Sequence, residues 1–299
     1  MICKISLHTI ITLIIIGIIS CKSNNTNDNN SSDDININDT LTEKHKKNVK
    51  MIFYNVPSPM ELAQLLQQTG AEYNSDILND YRNYEKYTTN SKVALNLGIY
   101  GADLSYARMF DQIQSSVNYL SSIRKLSDFL GIPQEEGSFA VSRIEENMEN
   151  RDSILIIISE TYAEADSYLK ENGRGGTAAL IIIGGWIEAL YISTHIIDEY
   201  NPNQPLLNLI AEQKYSLNNL IELAKTYQDD EEVLECIPFL KELESKFEKI
   251  EITYKKGAII TDEENKTTTI ESQTIVNIPD GLIKEIGIIV EDYRNKIIE

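Results

Sequence analysis

Two stretches carry side chains whose types and spacing could do chemistry. Gly98-Ile-Tyr-Gly-Ala-Asp103-Leu-Ser-Tyr106 and Gly184-Gly-Trp-Ile-Glu188-Ala-Leu-Tyr191 share small residues, an aromatic, a carboxylate in apolar surroundings and a tyrosine three residues later. They read as an internal duplication. On a helix each carboxylate lies within a turn of its tyrosine, which allows a hydroxyl-to-carboxylate hydrogen bond. If both helices are central, Asp103 and Glu188 face one cavity lined by Tyr100, Tyr106, Trp186 and Tyr191, and His195 shares the face of Glu188. A carboxyl buried there has a raised pKa unless it is paired, and such groups cluster at functional sites. These seven residues form the candidate ligand-binding set, with no catalytic role assigned to any of them. The competing reading makes each carboxylate a satisfied polar residue that fixes helix register. A di-metal carboxylate site would need Glu-x-x-His, which neither stretch has, so neither metal nor cofactor is expected.

Weaker motifs surround this pair. Gly173-Arg-Gly-Gly-Thr177 lacks the Gly-Lys-Ser/Thr end of a phosphate-binding loop and reads as an interhelical turn, although its amides and Arg174 could hold an anion. Ser122-Ile-Arg-Lys125 matches Ser-x-x-Lys without the companion motifs, in mid-helix, and reads as chance.

The elements that must position these residues read as amphipathic helices. Gly is scarce at 14 and Pro at 7, which favours long helices over turn-dense β architectures. Pro59–Thr69 has Ser58 as N-cap, Pro59 at its first position and Gly70 as its stop. Ser91–Phe110 repeats apolar residues at 93, 97, 100, 104 and 107, and Val117–Leu130 does so at 117, 120, 123, 126 and 130, which predicts an antiparallel pair. Phe139–Met148, Ser153–Asn172, Pro205–Tyr227 and Glu231–Ile252 follow as helices. Thr177–Tyr200 is apolar almost all round, which places it at the bundle centre. Its Gly184-Gly185 pair costs helix stability, and close approach of a neighbouring helix would compensate. Between Gly257 and Ile278 β-branched residues predict a hairpin, and Leu282–Ile298 closes the chain as a helix. The predicted fold is all-α, a multi-helix bundle with a small β-hairpin near the C-terminus. Residues 51–299 form its single domain.

The N-terminus speaks about location. Lys4 precedes an apolar run from Ile5 to Ser20, short for a bilayer span and of the length of a signal-peptide core. Ile18-Ile19-Ser20-Cys21 resembles the lipobox of bacterial lipoproteins. That resemblance implies a signal peptide over residues 1–20, cleavage before Cys21, and diacylglycerol and palmitate-type acylation of Cys21. More than one acyl chain gives stable membrane anchoring. Residues 22–40 hold seven Asn, four Asp and three Ser but only two apolar side chains, Ile35 and Ile37, so residues 21–50 read as the lipidated Cys and a disordered tether. Lys22 stands where an inner-membrane retention signal would place Asp, and by that resemblance the protein belongs to the outer membrane. Asp39-Thr40-Leu41 and Asp152-Ser153-Ile154 look like the short O-glycosylation signal of Bacteroidota, though an N-cap explains Asp152 more simply.

With Cys3 removed and Cys21 acylated, Cys236 is the only thiol of the mature domain, which excludes an intramolecular disulfide framework. Its apolar helical setting reads as a small core residue. His195 is the only histidine well inside the domain, since His8 leaves with the signal and His45 lies in the approach to it. Multi-histidine zinc sites are thereby excluded. A net charge of −19 argues against nucleic-acid partners.

The lipobox, Leu97–Leu104, Gly184–Glu188, the threonine-rich hairpin and Tyr293-Arg-Asn-Lys-Ile-Ile298 together resemble an all-helical, lipobox-bearing lipoprotein family of Bacteroidota to which no activity is attached. The resemblance spans most of the mature chain and implies localisation and fold only. The expected function is an envelope-anchored binding or interaction module, with an envelope protein or small ligand as partner. The alternative is a small-ligand receptor or enzyme using the central carboxylate and tyrosine pocket.

Overall fold

Apolar side chains at helical spacing decide the architecture, which is an all-helical bundle carrying one two-stranded hairpin. The computed structural model describes residues 72–133, 141–147, 150–197, 204–262 and 267–299. The signal segment, Cys21, the tether, the Asp39 motif and the Pro59–Thr69 helix lie outside the described residues.

Helix α1, Asn90–Met109, starts at Thr89, whose hydroxyl accepts from the Lys92 N–H. It buries Val93, Leu97, Tyr100, Leu104 and Ala107, the stripe its spacing predicts. A tight turn at Asp111 (φ 55°) leads into α2, Ile113–Phe129. That helix begins a turn ahead of Val117, which is exposed rather than part of the buried face. Tyr119 and Ser122 hold the inner positions instead, because they bond the backbone of the segment preceding α1. Helix α3, Val141–Glu146, and α4, Arg151–Glu171, follow. Asn150, not Asp152, is the N-cap of α4, its side chain accepting from the Ser153 N–H at 3.0 Å.

Helix α5, Gly175–His195, is the central element. Helix α1 lies along it, and α4, α6 (Gln204–Thr226), α7 (Glu231–Phe247) and α8 (Leu282–Ile298) pack around it. Among the described residues α5 alone is long and apolar enough to cross a bilayer, and it is mostly buried inside the bundle. Helix α7 continues through Pro238, which faces solvent, so the carbonyl that loses its helical partner lies on the wet side. Cys236 is buried on the opposite face, its thiol bonding the Glu232 carbonyl, and burial pushes the thiol pKa up.

Other boundaries also differ from the sequence expectation: α5 ends at His195 rather than Tyr200, and α7 also ends early. The helix predicted to reach Ile252 ends at Phe247, and strand β1 already spans Glu251–Asp262. It pairs antiparallel with β2, Thr267–Asn277, in a register running from Glu251 opposite Asn277 to Asp262 opposite Thr267. A turn in which the Ile250 N–H bonds the Phe247 carbonyl stops the helix. Beyond it the ladder captures Ile252 and Thr253, β-branched residues that fit a strand better than a helix end.

Candidate functional site

The site begins with two glycines. A Cβ on Gly98 would lie 2.0 Å from the Ile181 carbonyl oxygen and 2.5 Å from the Gly185 nitrogen, and one on Gly184 would lie 2.0 Å from the Leu95 oxygen. The backbones of α1 and α5 therefore touch, which is the close approach that Gly184-Gly185 implies. Asp103 and Glu188 lie about a turn beyond this crossing on their respective helices, and the two fully buried carboxyls come within electrostatic reach of each other.

A third group completes the centre. Arg294 of α8 forms a fork onto Glu188, Nε to Oε2 at 2.6 Å and Nη2 to Oε1 at 2.7 Å. Its guanidinium also lies over the Tyr191 ring, 4.1 Å from the centroid, and donates through Nη2 to the Ile77 carbonyl at 3.1 Å. Where the sequence places a cavity between the carboxylates, the Glu188 side of that space holds this guanidinium. Burial works against the Arg294 charge, but Glu188 beside it holds the pKa above the ordinary arginine value.

Asp103 behaves differently. Neither of its oxygens makes a hydrogen bond of good geometry. Burial first, and the Glu188 charge second, hold its pKa well above the usual carboxylate range, against the opposing pull of Arg294 and the Asn79 N–H. These surroundings favour the protonated form of Asp103, which leaves the forked Glu188 and Arg294 as the paired groups of the centre. That arrangement avoids an uncompensated buried charge.

Two tyrosines of the candidate set, Tyr100 and Tyr106, serve a separate task. Residues 72–89 form a strap containing two 3₁₀ turns, Ser75–Ile77 and Tyr81–Lys86. Tyr100 donates to the Asp80 carbonyl at 2.9 Å, Tyr119 to the Asn79 carbonyl at 2.9 Å, and Ser122 to the Tyr81 carbonyl at 2.7 Å. Tyr106 accepts from the Asn74 N–H at 3.3 Å and stacks on Tyr73. Asn79 reaches Tyr87 and Asn96, and Asn96 in turn donates to the Ile297 carbonyl at 3.1 Å. The Ile77, Asn79, Asp80 and Tyr81 carbonyls of the strap each meet a side-chain donor, as buried backbone requires.

The other expected residues lie apart from this centre or add to it in part. Trp186 is buried, with its indole N–H making no hydrogen bond. His195 sits at the exposed end of α5, its Nδ1 2.8 Å from the Tyr191 carbonyl oxygen and its Nε2 3.6 Å from Glu291. It joins the group through Tyr191, whose ring it meets at 4.0 Å between centroids. At the other end of α5 the Gly-rich turn is packed from within. A Cβ on Gly176 would meet Asp230 Oδ2 at 2.0 Å and one on Gly175 the Tyr227 ring at 2.2 Å. The Asp230 carboxylate lies at the start of α5 and also accepts from the Val233 N–H to cap α7. Arg174 bonds the Leu130 carbonyl. The Ser-x-x-Lys spacing makes no nucleophile, because the Ser122 hydroxyl proton is given to a carbonyl rather than to Lys125.

Arg294, Asn79, Asn96 and Tyr119 are absent from the sequence-derived set. Arg294 leaves one trace: it lies four residues after Val290 and three before Ile297, inside the buried stripe of α8. Asn96 is likewise embedded in the apolar run of α1. A polar residue on a stripe that must be buried needs a buried partner.

Fold and site define an all-helical bundle locked by a buried acid, carboxylate and guanidinium. No protein-family model, curated protein or solved structure matches the chain. Its chemistry is therefore read from this geometry alone.

Proposed function

We propose that the chain is a lipid-anchored binding module of the bacterial cell envelope, held at the outer membrane through Cys21 and acting through its surface. One observation carries the second half of this reading: both oxygens of Glu188 are taken by Arg294 in a buried fork. Protonating a carboxylate so engaged, or drawing it away to a ligand, would give up a charge-assisted pair and leave the buried guanidinium uncompensated. The lipobox-like Ile18-Ile19-Ser20-Cys21 supports the anchoring half. The buried centre then serves to set helix register.

A second reading, a small-ligand receptor or enzyme built on the same carboxylates, is favoured by Asp103, whose two buried oxygens lack a good hydrogen bond. The test takes cells producing the full chain or its Cys21→Ser variant, feeds them an alkyne fatty acid, fractionates them, and weighs the purified protein by native mass spectrometry. Label and membrane association lost in Cys21→Ser, together with a protein that carries no tightly held ligand, is the expected result. A soluble, unlabelled full chain would remove the anchor. A bound mass that disappears in Asp103→Asn would favour the receptor.

A further inference from the structure

The strap and α2 border an open cleft of 360 Å³, away from the buried centre, that the motifs above do not account for. Tyr81, Tyr84 and Glu85 form one wall on the second 3₁₀ turn, and Asn118, Ser121 and Lys125 form the other at helical spacing on α2. Arg82 and Ser122 complete the lining, and no aliphatic side chain contributes to it. The lining is mixed, phenol rings among polar and charged groups, rather than the mainly hydrophobic lining of a lipid pocket.

What the lining can still bind follows from what is already engaged. Arg82 is committed to Asp80, with Nε to Oδ1 at 2.9 Å, and Ser122 to the Tyr81 carbonyl. Lys125 bonds the Tyr84 hydroxyl and lies 4.0 Å from the centre of that ring, while the same hydroxyl donates to Glu85 at 2.8 Å. The ammonium has three protons and spends one on Tyr84. Asn118 accepts from Gln114 at 3.3 Å and retains its own amide hydrogens, and Ser121 is exposed at the rim. The cleft thus offers a held cation, an amide, a hydroxyl and phenol rings side by side, with the Glu85 carboxylate at the Tyr84 hydroxyl able to accept from a ligand hydroxyl. That set matches a small molecule with one carboxylate, several hydroxyls and a C–H face to lie on an aromatic ring. The volume is at the small end of ligand sites.

We infer that this cleft binds a sugar acid, such as a uronic acid residue of a glycan, with the carboxylate on Lys125 and the ring hydroxyls on Asn118 and Ser121. The inference rests on reading the chain as a binding module. Its failure is distinguishable from the failure of that reading, because the variants below leave Cys21 and the buried fork untouched. The chain's charge of −19 repels anions at long range, so the selectivity for the acid must come from short-range contact with Lys125.

Saturation-transfer NMR and calorimetric titration of the full chain in detergent micelles, with D-glucuronate and D-glucose as probes, tests this. Lys125→Met keeps the side-chain stem and removes the charge, and Asn118→Ala removes the amide; circular dichroism checks that both stay folded. Glucuronate should bind roughly tenfold or more tightly than glucose, and Lys125→Met should erase that preference. Asn118→Ala should weaken both sugars. Absence of glucuronate binding, equal binding of the two sugars, or glucuronate binding unchanged in both variants would each overturn the assignment.

Discussion

Asp103 and Glu188 are chemically alike, and their surroundings give them opposite roles. Glu188 is forked by Arg294, whereas Asp103 has no good hydrogen bond and is held toward its protonated form by burial and the neighbouring Glu188 charge. The folded pKa of Asp103 is therefore raised above the unfolded value. Between those two values the native state holds a proton that the unfolded chain has released, so stability falls as pH rises through that window. Asp103→Asn carries no titrating proton and should flatten this part of the profile, gaining on the wild type as pH rises. Urea midpoints at pH 5 and pH 8 measure it; an identical pH response in wild type and variant would remove Asp103 as the titrating group. Both carboxyls were legible in the sequence as acids within apolar runs. Arg294 was not, because the periodicity of Leu282–Ile298 reads as a complete apolar stripe without it, and its partner lies on α5, more than a hundred residues earlier. Intrahelical spacing brings Tyr106 and His195 into the candidate set, and it says nothing of the Asn74 N–H that engages Tyr106 or of Glu291 on α8 beside His195.

Helices α1 and α5 show how much of an element's role its own residues reveal. Gly184-Gly185 inside the most apolar helix of the domain signals a neighbour at backbone distance, and Gly98 supplies the matching flat surface. A methyl group at Gly184 would meet the Leu95 carbonyl, and α1 and α5 would have to separate. Gly184→Ala should therefore lose about 1–3 kcal/mol or more, read as a lower urea midpoint, despite the better helix propensity of alanine. A stabilised variant would contradict the crossing. The end of α7 and the start of β1 were less legible, since Glu248 to Ile252 satisfies the helical period and only pairing with Val276 and Asn277 decides for strand. The strap was invisible for the same reason. Its shape comes from donors on α1, α2 and α8, and residues 72–89 have no periodicity that announces them.

At the scale of the whole molecule, a helical bundle follows from composition and spacing, and the predicted fold class is the observed one. Its centre is more tightly closed than the sequence allows one to see, since closure depends on α8 returning across α5. The proposed anchor at Cys21 and the proposed cleft under the strap place the chain's work at its surface, and the Asp103, Glu188 and Arg294 group in the role of a latch. A double-mutant cycle on Glu188→Leu and Arg294→Met, followed by urea unfolding, tests that latch most directly. Each single variant leaves a buried charge without its partner and should lose about 3–5 kcal/mol, while the double variant should return to within about 1 kcal/mol of the wild type or exceed it. Single variants that unfold like the wild type, or a double variant that loses the sum of both, would contradict a latch at the centre of the bundle.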